Sequence, residues 1–336
     1  MKSQPVVSLF LKDRFWAWIL VSRTLIIFSS AILAMGLLSI PIGYIHIHAI
    51  LMLLGVRLFY YGIMWAQIPS YTGYISHRIL SFIALIMELI GILLAVVQID
   101  LWPYLSSISI LVLGSIYISK GLGTSWQKLP NTLTILGIAH ASLSLLLGLD
   151  PLYSISFPLL SAISMMIRVE PSMFRYNVSK DLLAIYILIS GFLLLLSFYL
   201  SFKIIMLIPA MLVLILNRVS FKNIYGIGST VAKALGIIGS ISIFLNMQID
   251  SLHIILVGFL GVIMGSLCGP LIVPGILGRS YKEFSPGYAI AIALIAILRA
   301  IYREISMPLY IEVISFSMIT LIFVYILKII TSKRVV

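Results

Sequence analysis

The chain has 336 residues, of which 62% are hydrophobic and only 10% are charged, and its mean hydropathy is +1.19. A soluble domain needs far more polar surface, so this composition excludes an ordinary soluble fold. The net charge of +12 does not indicate nucleic-acid binding, because the basic residues are scattered in short loops and form no continuous stripe.

Apolar segments long enough to cross a bilayer follow one another along the whole chain. We therefore predict an all-α fold, a polytopic integral membrane bundle of about twelve transmembrane helices that forms a single domain over residues 1–336. The predicted spans, with boundaries uncertain by several residues, are roughly 16–38, 44–67, 79–98, 101–119, 130–149, 151–169, 182–200, 202–218, 226–247, 252–276, 286–303 and 308–329.

Positive charge alternates between the connections of these spans. The odd-numbered connections are nearly free of it and carry Asp100, Asp150 and Asp250. Since basic residues stay on the cytoplasmic side, the pattern predicts a multi-pass protein of the cell membrane with both termini in the cytoplasm. The even-numbered connections and the tails carry Lys2, Lys12, Arg14, Arg78, Lys120, Lys128, Arg175, Lys180, Arg218, Lys222, Arg279, Lys282, Lys333 and Arg334.

Spans 2 and 10 share an internal spacing. Pro69 follows His48 by 21 positions, as Pro274 follows His253. Span 6 carries a looser version that ends in Pro171. This spacing predicts three repeat-like units of four helices, about 14–122, 128–218 and 226–330, around a pseudo-threefold axis; the alternative is coincidence between similar helix ends.

Four of the five histidines fall on the predicted outer side of the membrane. His46 and His48 begin span 2, His253 begins span 10 and His140 lies in the outer half of span 5, whereas His77 lies at the cytoplasmic edge. Polar groups inside hydrocarbon are costly and usually functional, and imidazole is a common axial ligand of haem iron.

We predict that His48 and His253, at matching repeat positions, ligate a haem iron from both sides. Simple hydrogen bonding to headgroups or to neighbouring helices is the alternative. His46 lies two residues from His48 and so faces a roughly opposite side of the helix, but the sequence does not choose between the two. His140 is a further candidate metal ligand.

Arg299 and Arg303 break the positive-inside pattern near the outer end of span 11. They are four residues apart and share one helix face. Because a guanidinium engages both oxygens of a carboxylate, we predict that they bind the haem propionates. Pairing with Glu304 or Glu312 is the alternative.

Two further charges, Arg57 and Glu88, lie near mid-membrane on consecutive spans. We predict that the two side chains form an ion pair with each other, since an unpaired charge in hydrocarbon is costly. Lys233 is another charge inside a span, without a predicted partner.

Four blocks of the sequence resemble the NnrS family of haem- and copper-containing membrane proteins, in the right order and over most of the chain. The third is similar to the family's G-G-R-x-x-P-x-F-T-x-N but lacks the two glycines, and the last lacks the histidine before its closing Gly-Arg. The blocks are residues 46–48 (HIH), 62–73 (GIMWAQIPSYTG), 168–177 (RVEPSMFRYN), and His253 with Gly258, Gly261, Met264, Gly278 and Arg279.

The resemblance implies twelve helices, haem b, copper, and a link to electron transfer or to nitric oxide and other reactive nitrogen species. The partners expected from it are membrane lipid and a redox partner or other respiratory-chain subunits. The sequence does not show whether a reaction is catalysed. A non-redox transporter or a structural membrane subunit of a respiratory complex is the alternative from a different class.

Overall fold

The computed structural model describes residues 13–66, 78–123, 128–222, 224–245, 248–267, 287–301 and 310–331. Within these ranges every regular element is a helix. We number twelve helices in one series: α1 (Asp13–Leu38), α2 (Ile45–Ala66), α3 (Arg78–Val96), α4 (Trp102–Gly121), α5 (Asn131–Leu146), α6 (Ser156–Phe174), α7 (Lys180–Tyr199), α8 (Phe202–Leu214), α9 (Ile224–Phe244), α10 (248–267), α11 (Gly287–Ala300) and α12 (Tyr310–Thr331).

The predicted all-α fold is confirmed for the described residues, and each of the twelve predicted spans overlaps one of these helices. Among the described residues, five spans are long and apolar enough to cross a membrane by length and composition. They lie in α2, α3, α7, α9 and the segment formed by α6 with the short 3₁₀ helix Pro151–Ile155 before it.

The helices divide into inner and outer members of the bundle. The span in α6 is 89% buried and the one in α2 is 72% buried, whereas those in α3 and α7 are only 39% and 28% buried. Helix α6 contacts both α2 and α10, and α12 packs against α1. The second helices of the predicted four-helix units are thus neighbours through α6, although the pseudo-threefold arrangement itself stays a prediction.

The outer helices present apolar side chains outwards. Leu188 and Phe192 on α7 and Leu93 on α3 are all more than half exposed. A soluble protein rarely exposes contiguous apolar surface on this scale, so these faces match a bundle surrounded by hydrocarbon.

Helix α8 is a 3₁₀ helix of 13 residues, which is unusually long for this hydrogen-bonding pattern. At about 2.0 Å per residue it extends about 26 Å, close to the thickness of a hydrocarbon core. Pro209 has no N–H group, so the carbonyl oxygen of Met206, three residues earlier, loses its 3₁₀ partner. The Ser240 hydroxyl of α9 donates to this oxygen at 2.6 Å, and thereby satisfies the orphaned group.

Helices α5 and α6 pack closely at Gly137, and alanine there is expected to lower the free energy of unfolding by about 1–3 kcal/mol. A Cβ at this position would lie 2.5 Å from the carbonyl oxygen of Ser156, a backbone atom that cannot rotate away. Gly191→Ala is the matched control, because its Cβ would meet Leu136 at an ordinary 3.7 Å. Denaturant unfolding in detergent measures both, and equal loss of stability would contradict this packing.

Candidate functional site

A cavity lies among the helix ends where α2 and α10 begin and α11 ends. It encloses about 710 Å³, part of it open to the surroundings. Its polar lining is concentrated in His48, His253 and Arg299. The other lining residues are Leu37, Ile40, Ala49, Met52, Leu152, Leu252, Leu256, Val257, Ile295, Ile314, Ser315 and Met318.

The His48 ring is oriented by the backbone of α1. Its Nδ1 lies 2.8 Å from the carbonyl oxygen of Gly36. A carbonyl oxygen only accepts, so Nδ1 carries the proton and donates, and in the neutral ring Nε2 keeps a lone pair. Metal-binding histidines are typically fixed in this way, with one nitrogen donating to a carbonyl and the other left to ligate.

Gly36 allows this hydrogen bond because α1 and α2 approach closely at that point. A Cβ on Gly36 would lie only 3.1 Å from the Cβ of Leu51. The glycine therefore brings its carbonyl oxygen within reach of the imidazole one helix away.

His253 is the last residue of the α-helical start of α10 (Gln248–His253). The helix then continues with π-type hydrogen bonds over Ile254–Leu260 and again over Ile263–Leu267. Such segments are rare and occur frequently at functional sites. Here the first of them contributes Leu256 and Val257 to the cavity wall.

Arg299 lies in the last turn of α11 and lines the same cavity. It is within electrostatic range of the His48 ring. The cavity therefore combines two imidazoles and a permanent positive charge with apolar walls. Such a site suits an apolar ligand that carries an anionic group.

A second chamber of about 590 Å³, likewise partly open to the surroundings, adjoins the first, and the two share Met52, Leu256, Val257 and Met318. Its walls are almost entirely apolar. The Tyr288 hydroxyl donates to the carbonyl oxygen of Leu321 at 3.0 Å, so this polar group is already satisfied. Together the chambers form an apolar space whose polar groups gather at one end.

His140 lies elsewhere, buried between α5, α6 and α7. Its Nδ1 is 3.0 Å from the Ser156 hydroxyl and its Nε2 is 2.9 Å from the Ser197 hydroxyl. Phe198 packs on the ring at a centroid distance of 4.4 Å. Because both nitrogens are engaged by serines, His140 forms a structural hydrogen-bonded unit in this arrangement and is not brought to the cavity.

Two predicted site residues fall wholly or partly outside the described part of the chain. Arg303 lies outside it, and so does the side chain of His46, whose backbone belongs to α2. Among the side chains that are described, no three His, Cys, Asp or Glu groups lie together. Copper binding accordingly stays a prediction.

The predicted pairing of Arg57 with Glu88 is confirmed. The guanidinium lies 3.0 Å from a carboxylate oxygen, and both side chains are fully buried. The Tyr61 hydroxyl, 2.6 Å from the Ser109 hydroxyl, completes the cluster between α2, α3 and α4. The cluster joins three helices and lies apart from the histidine cavity.

Sequence reasoning missed a second buried ion pair, between Glu170 on α6 and Lys233 on α9. The Lys233 ammonium lies 3.0 and 3.1 Å from the two oxygens of Glu170. The hydroxyls of Tyr176, at 2.7 Å, and Ser229 also donate to this carboxylate. The signal was present, since an acid and a base each interrupt an apolar segment.

The described residues form a helical bundle with a mostly apolar cavity at one end, which is lined by two histidines. Comparisons of the chain with family models, with curated proteins and with solved structures find no match. The function is therefore argued from the cavity itself.

Proposed function

We propose that this protein crosses the cell membrane twelve times, with both termini in the cytoplasm, and binds one haem b between α2 and α10. His48 and His253 would ligate the iron, and Arg299 would engage a propionate. The observation that carries the proposal is that these three residues, from three different helices, line one cavity.

The residues present fit the cofactor in three respects. The walls of the joined chambers are apolar, as a porphyrin face requires. The hydrogen bond to Gly36 leaves the Nε2 lone pair of His48 available for iron. Arg299 supplies a donor fork for a carboxylate at the same end of the cavity.

When bound, haem would supply one-electron redox chemistry whose potential depends on its axial ligands and on its burial. The imidazoles of His48 and His253 would together hold the iron. This arrangement favours electron transfer over binding of an exchangeable ligand, so we propose electron transfer as the activity. A link to nitric oxide or other reactive nitrogen species rests only on the resemblance to the NnrS family.

The test is an optical spectrum of the protein purified in detergent from haem-replete cells. We expect a reduced-minus-oxidised spectrum of a low-spin b-type haem, with about one haem per chain by quantitation. A colourless preparation that is folded by circular dichroism would overturn the haem proposal. It would favour a transporter or a structural subunit of the membrane instead.

A further inference from the structure

Two loops come together at the end of the bundle remote from the histidine cavity. One, residues 175–179, joins α6 to α7, and the other, residues 215–222, joins α8 to α9. The guanidinium carbon of Arg218 lies 5.7 Å from the centroid of the Tyr176 ring, which is a cation–π contact between the loops.

The buried pair beneath the loops fixes both of them. Tyr176 donates its hydroxyl to Glu170 at 2.7 Å. Lys233 donates to the carbonyl oxygen of Leu216 at 3.1 Å and also to that of Arg218. Both loops therefore hydrogen-bond to the Glu170–Lys233 pair, and together they form a single surface.

Each loop repeats a similar order of residues, from arginine through serine to lysine. Residues 175–180 read RYNVSK and residues 218–222 read RVSFK. In each case the serine hydroxyl accepts a backbone N–H at 3.4 Å, from Leu182 in the first and from Lys222 in the second. The repeated order places a lysine five residues after Arg175 and four residues after Arg218.

The surface is basic and also exposes apolar side chains. Arg175, Lys180, Arg218 and Lys222 are all exposed, with Asp181 beside them as an exposed acid. Phe221 and Val219 are 69% and 65% exposed between the basic residues of the second loop. Alternating basic and apolar exposed side chains are suited to the boundary between lipid headgroups and acyl chains.

Arg175 adopts a left-handed conformation, with φ 53° and ψ 50°, at the end of α6. Glycine is the usual residue at such a position, because a side chain there costs about 1–2 kcal/mol. Residues in this conformation cluster where function constrains them. An exposed arginine at this position is consistent with selection for its charge.

We propose that this surface, formed by Arg175, Lys180, Val219, Arg218, Phe221 and Lys222, binds the phosphate headgroups of anionic phospholipids. The basic side chains engage the phosphates, and Phe221 and Val219 enter the adjoining acyl region. The surface lies where the apolar helices α6, α7, α8 and α9 start or end, which is the level of the headgroups in a membrane. The proposal rests on the membrane insertion proposed above and is independent of haem.

The test counts lipids that remain on the detergent-purified full chain, by native mass spectrometry after incubation with equimolar phosphatidylglycerol and phosphatidylcholine. Each basic residue near a membrane surface contributes about five-fold to anionic lipid binding. We therefore expect R218Q/K222Q to reduce the preference for phosphatidylglycerol by about thirty-fold. The charge-matched control K128Q/K203Q, which changes two half-buried lysines elsewhere, is expected to keep the preference.

Three results would overturn the proposal. The first is an equal preference for phosphatidylglycerol in R218Q/K222Q and in wild type. The second is displacement of phosphatidylglycerol by millimolar inorganic phosphate. The third is its displacement by a soluble acidic peptide, which would indicate a protein partner. The haem content of the same samples separates this proposal from the proposed function. If wild-type protein is colourless but selective for phosphatidylglycerol, only the haem proposal is contradicted. If the protein is coloured but not selective, only the lipid proposal is contradicted.

Discussion

Replacing His253 with alanine is expected to abolish the low-spin haem spectrum and to weaken haem retention on the order of 100-fold. The substitution removes one of the two imidazoles that line the cavity, so that only His48 would remain to hold the iron. Optical spectra of the purified variant, with haem quantitation, measure both effects. The same result is expected for His48→Ala.

Two controls distinguish loss of a ligand from loss of the fold. Added imidazole is expected to restore the low-spin spectrum of His253→Ala, because a free imidazole can enter the space left by the side chain. His140→Gln is expected to keep the spectrum, since His140 is bonded to Ser156 and Ser197 away from the cavity. An unchanged low-spin spectrum in His253→Ala would assign the ligand to another residue.

Breaking the Glu170–Lys233 pair from one side is expected to lower the free energy of unfolding by about 3–5 kcal/mol. Glu170→Met would leave a buried ammonium without its carboxylate, and Lys233→Met would leave a buried carboxylate without its cation. The Glu170→Met/Lys233→Met double variant removes both charges and is expected to lie closer to wild type than either single variant. Denaturant unfolding in detergent, followed by circular dichroism, gives the three values.

Lys203 provides the control for this cycle. It is half-buried at the start of α8, and Lys203→Met is expected to change the stability by no more than about 0.5 kcal/mol. Additive losses in the double variant would show that the two charges do not depend on each other, and would contradict the pairing.

The twelve helices could be located from the sequence because each one carries its own signal, a long apolar run between polar connections. The type of hydrogen bonding within each helix could not be predicted in this way. The 3₁₀ hydrogen bonding of α8 depends on the Ser240 hydroxyl from α9, which satisfies Met206. The π segments after His253 pack against α9 and α11, and these contacts are not visible in the sequence.

Part of the candidate site followed from spacing. The matching positions on spans 2 and 10 indicate His48 and His253 as site residues. Arg299 is indicated by its violation of the charge pattern. These three residues do line one cavity. Its extension into a second apolar chamber could not be foreseen, because the walls of that chamber come from leucines, valines and methionines like those throughout the chain.

Of the two buried ion pairs, one could be predicted from the sequence and the other could not. Arg57 and Glu88 lie on consecutive helices, so their pairing followed from order along the chain. Glu170 and Lys233 are 63 residues apart and come from helices that are not consecutive. Only the packing of α6 against α9 brings them together, and a single sequence holds no measure of that contact.

Titration of haem b into protein purified from haem-deficient cells tests the central claim most directly. The account predicts that low-spin absorbance rises to a sharp end point at about one haem per chain, and that the His48→Ala/His253→Ala variant shows no low-spin component. Equal low-spin binding by wild type and by this variant, or no saturable binding by wild type, would contradict it.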